Sequence, residues 1–302
     1  MRTKFPILRS MMFVPGHNEK LLDSSAKSNA DALLFDLEDS VQPPINKSFA
    51  RQLIIKKSNE QKFNKFSKFV RVNEIDTEFF LQDILQLTID SIDGFLLSKT
   101  ERYEDVVYLD NLLTSIERER EIKIGKFKII PILETTKSIV NIKEIAQAST
   151  RIIAIGFGSE DFVSDLQGVR DFGTDVSIFN PRSYVPIIAR AYGLEAIDAA
   201  YVKVHDIEGL EKHVMVGKVL GYGGMWVLHP KQNNLVNKIY SPTEDEYNTA
   251  KKLIKLYEDA KKMNKGVAII NGVFIGPPIV VKAKAIIKRV EQIKEQKKES
   301  FF

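Results

Sequence analysis

Glu134 and Asp161 are the two residues from which a chemistry can be built. Glu134 directly follows the apolar run Ile129-Ile130-Pro131-Ile132-Leu133, and Asp161 ends the stretch Gly158-Ser159-Glu160-Asp161 after a second apolar run. Taken alone, Glu134 has an ordinary structural account, since the first turn of a helix favours negative charge. Two carboxylates leaving neighbouring strands into one small space are different: they coexist when one is protonated or a cation lies between them. Only oxygen ligands are on offer, because His17, His205, His213 and His229 lack metal-ligand spacing. A hard cation that keeps some of its waters, Mg²⁺, suits this donor set better than zinc.

Arg71, at the end of the apolar run 69–72, supplies the complementary charge. Its guanidinium can hold a substrate carboxylate through two parallel hydrogen bonds. It can also form a structural ion pair with Asp36, Glu38 or Asp39, and both uses are compatible if the acidic triplet orients the arginine. Mg²⁺ and Arg71 together would grip an α-keto acid by its carboxylate and carbonyl oxygens. The cation would polarise that carbonyl and stabilise the enolate formed when the adjacent C–C bond breaks. Arg9, Lys20 and Lys99 are basic residues that could meet the phosphates of a large acyl carrier, although lone cations have many structural uses. Gly221-Tyr222-Gly223-Gly224 precedes an apolar run instead of following one, so a tight turn accounts for it better than a phosphate loop.

These residues need a scaffold that gathers strand ends. Short β-branched apolar runs occur at 10–14, 32–37, 69–72, 94–97, 128–133, 152–157, 196–200 and 224–228, most of them apolar on both faces as buried parallel strands are. Amphipathic helical patterns separate them, at 18–27, 83–89, 103–119, 136–147 and 182–192. Eight strands joined by helical crossovers predict an α/β protein of the closed (β/α)8 TIM-barrel type rather than an open doubly wound sheet. In such barrels chemistry sits where strands give way to the following loops. Here those positions carry Pro15-Gly16-His17-Asn18, Asp36 to Ser40, Arg71-Val72-Asn73, Ser98-Lys99, Glu134, Glu160-Asp161 and His229-Pro230. Residues 1–240 are expected to form the barrel and 241–302 a C-terminal helical extension that packs on it or on a neighbouring subunit. Ser241-Pro242-Thr243-Glu244 reads as a capping signature for a helix over 246–263, followed by a loop over 264–278 and a last helix from 279.

Composition narrows the function classes. The 302 residues carry 44 basic and 40 acidic side chains, a net charge of +4 that implies neither nucleic acid nor an anionic membrane as partner. Basic residues concentrate after Lys251, which reads as a solvated helix end. There is no cysteine, which excludes disulfides, thiolate metal sites and thiol nucleophiles. No apolar run reaches the roughly 18–20 residues of a membrane span, and the proline-broken start does not read as a secretory signal, so a cytoplasmic protein is expected.

The segments RSMMFVPGHNEK, ADALLFDLEDSV, FVRVN, ILETTKSIVNIKEIA, IGFGSEDF and MWVLHPKQ, in this order and spacing, resemble the citrate lyase β-subunit and CoA-ester lyase family of the HpcH/HpaI aldolase-like superfamily, which includes malyl-CoA and citramalyl-CoA lyases. The resemblance spans nearly the whole chain. It implies a barrel that is usually trimeric or hexameric, Mg²⁺ on Glu134 and Asp161, and a substrate-carboxylate arginine at Arg71. Arg9, Ser10, Lys20 and Glu160 fall at positions that help form the substrate and CoA pocket in lyase relatives. Pro15 and His229 lie on the same rim. From the residues themselves, Lys99 and His229 read as supporting groups, and Asp36, Glu38 and Asp39 stand open between support of the metal and arginine and a part in catalysis, with Asp39 a carboxylate that could serve in the cleavage. The implied activity is cleavage of a 3-hydroxyacyl thioester, of citryl, malyl or citramalyl type, into an α-keto acid and an acyl thioester. The carrier is CoA or an acyl carrier protein, with citrate lyase α and acyl carrier subunits as possible partners.

Two positions depart from the family pattern. Leu97-Ser98-Lys99 replaces the usual Leu-Pro-Lys and keeps the lysine. Relatives read Asn-Gly-x-Met-Val-Asp-x-Pro near the C-terminus, with an acid/base aspartate that reaches a neighbouring subunit, whereas this chain has Asn271-Gly272-Val273-Phe274-Ile275-Gly276-Pro277-Pro278. Glycine at 276 cannot transfer a proton, a step commonly worth about 10²–10⁴-fold. Two other readings therefore stand beside the lyase: a homologue that binds acyl-CoA or keto acid without turnover, and an aldolase that acts on small hydroxy-keto acids without CoA.

Overall fold

The computed structural model describes residues 6–262, 268–270 and 273–299. Two compact units are present, Leu8–Lys238 and a second built from the described residues of 1–7 and 239–302. In the first, eight parallel strands close into a barrel in chain order. They are β1 Ser10–Pro15, β2 Ala32–Asp36, β3 Ser67–Val72, β4 Gly94–Leu97, β5 Lys128–Leu133, β6 Ala154–Phe157, β7 Glu195–Asp198 and β8 Gly224–Val227. Every predicted strand is found, β4 and β5 with the predicted bounds and the others with ends shifted by one or two residues. β6 begins at Ala154 because Ile152 makes only an isolated bridge to Ile129.

The strands are apolar on both faces because the barrel is filled inside and covered outside. All five residues of β2 and all four of β4, β6 and β8 are buried. The aromatic residues Phe35, Phe69, Phe95, Phe127 and Phe157 carry no exposed surface. At the end where strands begin, ion pairs close the barrel: Arg9 forks onto Asp31 at 2.6 and 2.7 Å, and Arg151 pairs with Glu117 at 2.6 Å and Asp110 at 2.5 Å.

The surrounding helices are partly as predicted. Tyr103–Glu119 has the predicted bounds, while the 136–147 pattern is two helices, Thr136–Val140 and Ile142–Gln147, joined through Asn141. Helix Val176–Ala191 starts six residues before its predicted 182 and contains Pro181 and Pro186. Helices Asn46–Ser58 and Ile207–Leu220 were not marked by periodicity. In the first, Lys47, Arg51 and Lys57 are buried among the apolar residues and break the apolar stripe. Gly221, at φ 104°, ends the second in the left-handed region, so the Gly-rich stretch is a helix-ending turn.

In the second unit, helix Glu244–Lys262 begins with a reciprocal cap between Thr243 and Glu246, at 2.7 and 3.1 Å. The expected loop over 264–278 instead contains an antiparallel pair, Ala268–Ile270 with Val273–Ile275, before helix Pro277–Glu299. Asn271 and Gly272 lie outside the described residues. Among the described residues no helix is long and apolar enough to cross a membrane.

Candidate active site

Register brings the charged residues to one level. Asp36 ends β2 opposite Arg71 of β3, and Ile132 and Leu133 of β5 face Gly156 and Phe157 of β6. Glu134, one residue past β5, therefore lies beside Gly158, whose N–H donates to the Leu133 carbonyl at 3.0 Å. A cavity of about 400 Å³ opens at this end, lined by Asp36, Asp39, Arg71, Glu134, Glu160 and Asp161, and by apolar Phe13, Ile132, Val202, Trp226 and Leu228.

Glu134 is 4% exposed. Its Oε1 accepts the backbone N–H of Lys99 at 2.7 Å. Lys99 sits at φ 43°, the left-handed region that side chains rarely occupy. A Cβ at Gly158 would stand 2.6 Å from the Glu134 Cβ and 2.8 Å from its Oε2, so glycine keeps that space for the carboxylate. Burial pushes the Glu134 carboxyl up to about 7, and the charge of Asp161 adds to the shift against the Lys99 N–H and Arg71. Asp161 is exposed in the first turn of helix Ser159–Asp165. A buried carboxylate held by one N–H, lifted towards neutrality chiefly by burial and further by a second carboxylate on the same cavity, suits a hard divalent cation completed by water and substrate oxygens. Among the described residues no group of three His, Cys, Asp or Glu could hold a metal without such additions.

Arg71 makes the ion pairs foreseen as one of its two uses. Nε and Nη2 donate to the two oxygens of Asp36 at 2.7 Å each, while Nη1 meets Glu38 at 2.7 Å and Asp39 at 3.2 Å. Its guanidinium also lies 4.8 Å from the centre of the Phe13 ring. Of five N–H donors, these contacts occupy four. Burial raises the Asp36 carboxyl, but Arg71 and the backbone N–H of Glu38 outweigh it and the net shift is downward. Glu38 moves the other way: burial lifts it to about 8, reinforced by Asp39 and Glu134 against the pull of Arg71. Lys47 fixes this acidic turn from behind, its Nζ donating to the carbonyls of Leu37 and Glu38 at 2.9 and 3.1 Å and to Asn73.

The remaining expected residues divide. Glu160 lines the cavity and is held by Arg170 at 3.1 Å; Arg170 also pairs with Asp175, which pairs with Arg182. Lys99 contributes its backbone, while its ammonium pairs with Glu74. His229 is half-buried beside the wall, accepting the Lys231 N–H at 3.2 Å with its ring 6.1 Å from that of His205. Lys20 is exposed on helix Glu19–Ser25 and does not line the cavity. Arg9 and Ser10 are not brought there either. They stand at the start of β1, roughly 16 Å of strand rise from Pro15, bound to Asp31 and Asn237.

Sequence reasoning missed Trp226 and the glycines that make room for it. A Cβ at Gly156 would lie 1.9 Å from the indole of Trp226, whose Nε1–H donates to the Phe157 carbonyl at 3.0 Å. Alternation along β6, glycine at 156 and again at 158, was the signal available.

The chain is similar to known proteins over most of its length. The HpcH/HpaI aldolase/citrate lyase family model matches residues 9–230. The citrate lyase β subunit of Leuconostoc mesenteroides is 32% identical over 93% of this chain and 92% of its own length. An L-malyl-CoA/β-methylmalyl-CoA lyase of Cereibacter sphaeroides is 29% identical over 94% of this chain and 95% of its own. A solved citrate lyase β subunit from Mycobacterium tuberculosis, complexed with oxaloacetate and magnesium, superposes with a TM-score of 0.65 at 25% identity, covering 77% of this chain and 96% of that one. The chain is thus a carbon–carbon lyase and a member of the HpcH/HpaI aldolase/citrate lyase family.

Proposed function

We propose that this protein is a Mg²⁺-dependent lyase that cleaves a 3-hydroxyacyl thioester, carried on CoA or an acyl carrier protein, into an α-keto acid and an acyl thioester. One observation carries the reading: the buried Glu134 carboxylate, raised to about 7, faces the same cavity as Asp161 and Arg71. Glu134 and Asp161 would hold the cation. When bound, it supplies polarisation of the keto-acid carbonyl and stabilisation of negative charge developing at the cleaved bond. The relatives named for malyl-CoA and for citrate lyase activity support the substrate class, and the Mycobacterium structure supports magnesium.

The protein's own groups orient and exclude. Arg71 offers its remaining N–H to the keto acid's carboxylate, and a second once Asp39 lets go. Asp39 is the partner easiest to release, being 63% exposed on the longest of the contacts. Asp36 keeps the guanidinium plane fixed throughout. Phe13, Ile132 and Trp226 keep water from the reacting carbon.

Gly276 favours a second reading, a homologue that binds without turnover. It is buried and its carbonyl accepts the Ile279 N–H at 3.1 Å, so it caps the last helix and brings no titrating group. One experiment separates the readings: citryl-, malyl- and citramalyl-CoA are each incubated with protein and Mg²⁺, and keto-acid release is followed. Release from one thioester, abolished by EDTA and by Glu134→Gln, supports the lyase. Thioester binding with no release, and release appearing in Gly276→Asp, supports the second reading.

A further inference from the structure

We infer that the keto-acid half of the substrate carries a single carboxylate, so that the product is an α-keto monoacid and not a dicarboxylate such as oxaloacetate. This rests on the lyase reading and narrows its substrate. Among the described residues lining the cavity Arg71 is the one cation, and its donors already turn to Asp36, Glu38 and Asp39. A cation at Glu134 and Asp161, with Arg71, satisfies the carboxylate next to the keto group. A second carboxylate would face hydrocarbon, further acids or the hydroxyls of Ser40 and Ser159, and no second cation.

The hydrocarbon side is specifically built. Gly156 leaves its inward space to the Trp226 indole, which the hydrogen bond to the Phe157 carbonyl holds in place. A Cβ at Gly158 would meet Glu134 first and Ile132 Cγ2 next, at 3.4 Å, so the Ile132 side chain borders the Glu134 carboxylate. Phe13 packs on Trp226, ring centres 5.7 Å apart, and lies under Arg71. Substituents on a carbonyl bound near Glu134 therefore meet Ile132, Phe13 and Trp226. A methyl or ethyl group is welcome there, while an ionised carboxylate loses its water without gaining a cationic partner. The other side offers Asp39 and Glu160, which repel it.

Trp226 is the only tryptophan in the chain, so fluorescence quenching reports occupancy of this cavity without any turnover. The full-length protein in saturating Mg²⁺ is titrated with pyruvate, 2-oxobutyrate and freshly dissolved oxaloacetate. The last two are equal in length and differ by a methyl against a carboxylate. Pyruvate and 2-oxobutyrate are expected to half-saturate at concentrations about tenfold or more below that of oxaloacetate. Leu228→Arg adds a cation to the half-exposed wall and is expected to tighten oxaloacetate about tenfold while leaving 2-oxobutyrate within about threefold. Oxaloacetate binding as tightly as 2-oxobutyrate, or more tightly, or left unmoved by Leu228→Arg, overturns this inference and spares the lyase reading. Quenching by none of the three, with Mg²⁺ present, removes both.

Discussion

The backbone N–H of Lys99 donates to Oε1 of Glu134 across 2.7 Å, and Lys99 holds a φ of 43° to do so. The side chain at 99 is thus secondary to the backbone conformation. Lys99→Gly and Lys99→Ala are expected to keep Mg²⁺ affinity within about threefold. Lys99→Val, whose branched Cβ resists the left-handed region, is expected to lose about tenfold or more. Calorimetric titration with Mg²⁺ decides, and an alanine variant as weak as the valine one would show that the ammonium matters instead.

Gly158→Ala tests the space beside the carboxylate. The new Cβ would sit 2.6 Å from the Cβ of Glu134, so strand or side chain must give way. Stability should fall by about 1–3 kcal/mol, typical of overpacking. Keto-acid release should fall by about tenfold or more while circular dichroism stays native. Unchanged kcat and KM would mean that Glu134 has freedom the geometry denies it.

The pH dependence of the metal-free protein follows from Glu134. Its folded value, about 7, is above the ordinary 4.5, so the folded state binds the proton more tightly than the unfolded state. Stability from this group is therefore greatest below pH 4.5, falls as pH rises towards 7, and levels off above it, a loss on the order of 3 kcal/mol. Glu134→Gln should raise the melting temperature at pH 8 without Mg²⁺ and leave it nearly unchanged at pH 5. It should also abolish the stabilisation that added Mg²⁺ gives the wild type.

Arg71→Lys keeps the charge but not the fork that Asp36 engages with both oxygens. It should lower kcat/KM by about 100-fold and stability by about 1–3 kcal/mol. Asp39→Ala should do the reverse for affinity: removing the exposed competitor for Nη1 lowers KM for the thioester, with stability unchanged within about 0.5 kcal/mol. A raised KM in Asp39→Ala would assign Asp39 to substrate contact.

What could be read from the residues depended on whether function resided in side-chain type. The eight strands were legible because burial on both faces demands apolar runs. Glu134, Asp161 and Arg71 were legible because each is a charge at the end of such a run. Helix Asn46–Ser58 was hidden because Lys47, Arg51 and Lys57 point inward, where Lys47 and Arg51 serve carbonyl and carboxylate partners. The Lys99 N–H, the emptiness at Gly156 and Gly158, and the Trp226 indole that fills the first were hidden because a backbone donor and a space have no letter of their own. Arg9 and Ser10 stand beside a family motif, but β1 carries that motif to the opposite end of the barrel.

The two ends of the same strands thus make different demands on inheritance. Where the strands begin, Arg9 with Asp31 and Arg151 with Glu117 are interior pairs, and a change to either member strands its partner's charge. Where they finish, exposed residues such as Leu228 and Asp39 can be exchanged one at a time around a frame that does not need them to stand up. A lineage descending from this chain could acquire a new substrate by altering Leu228 or Asp39, while the opposite end holds the fold constant.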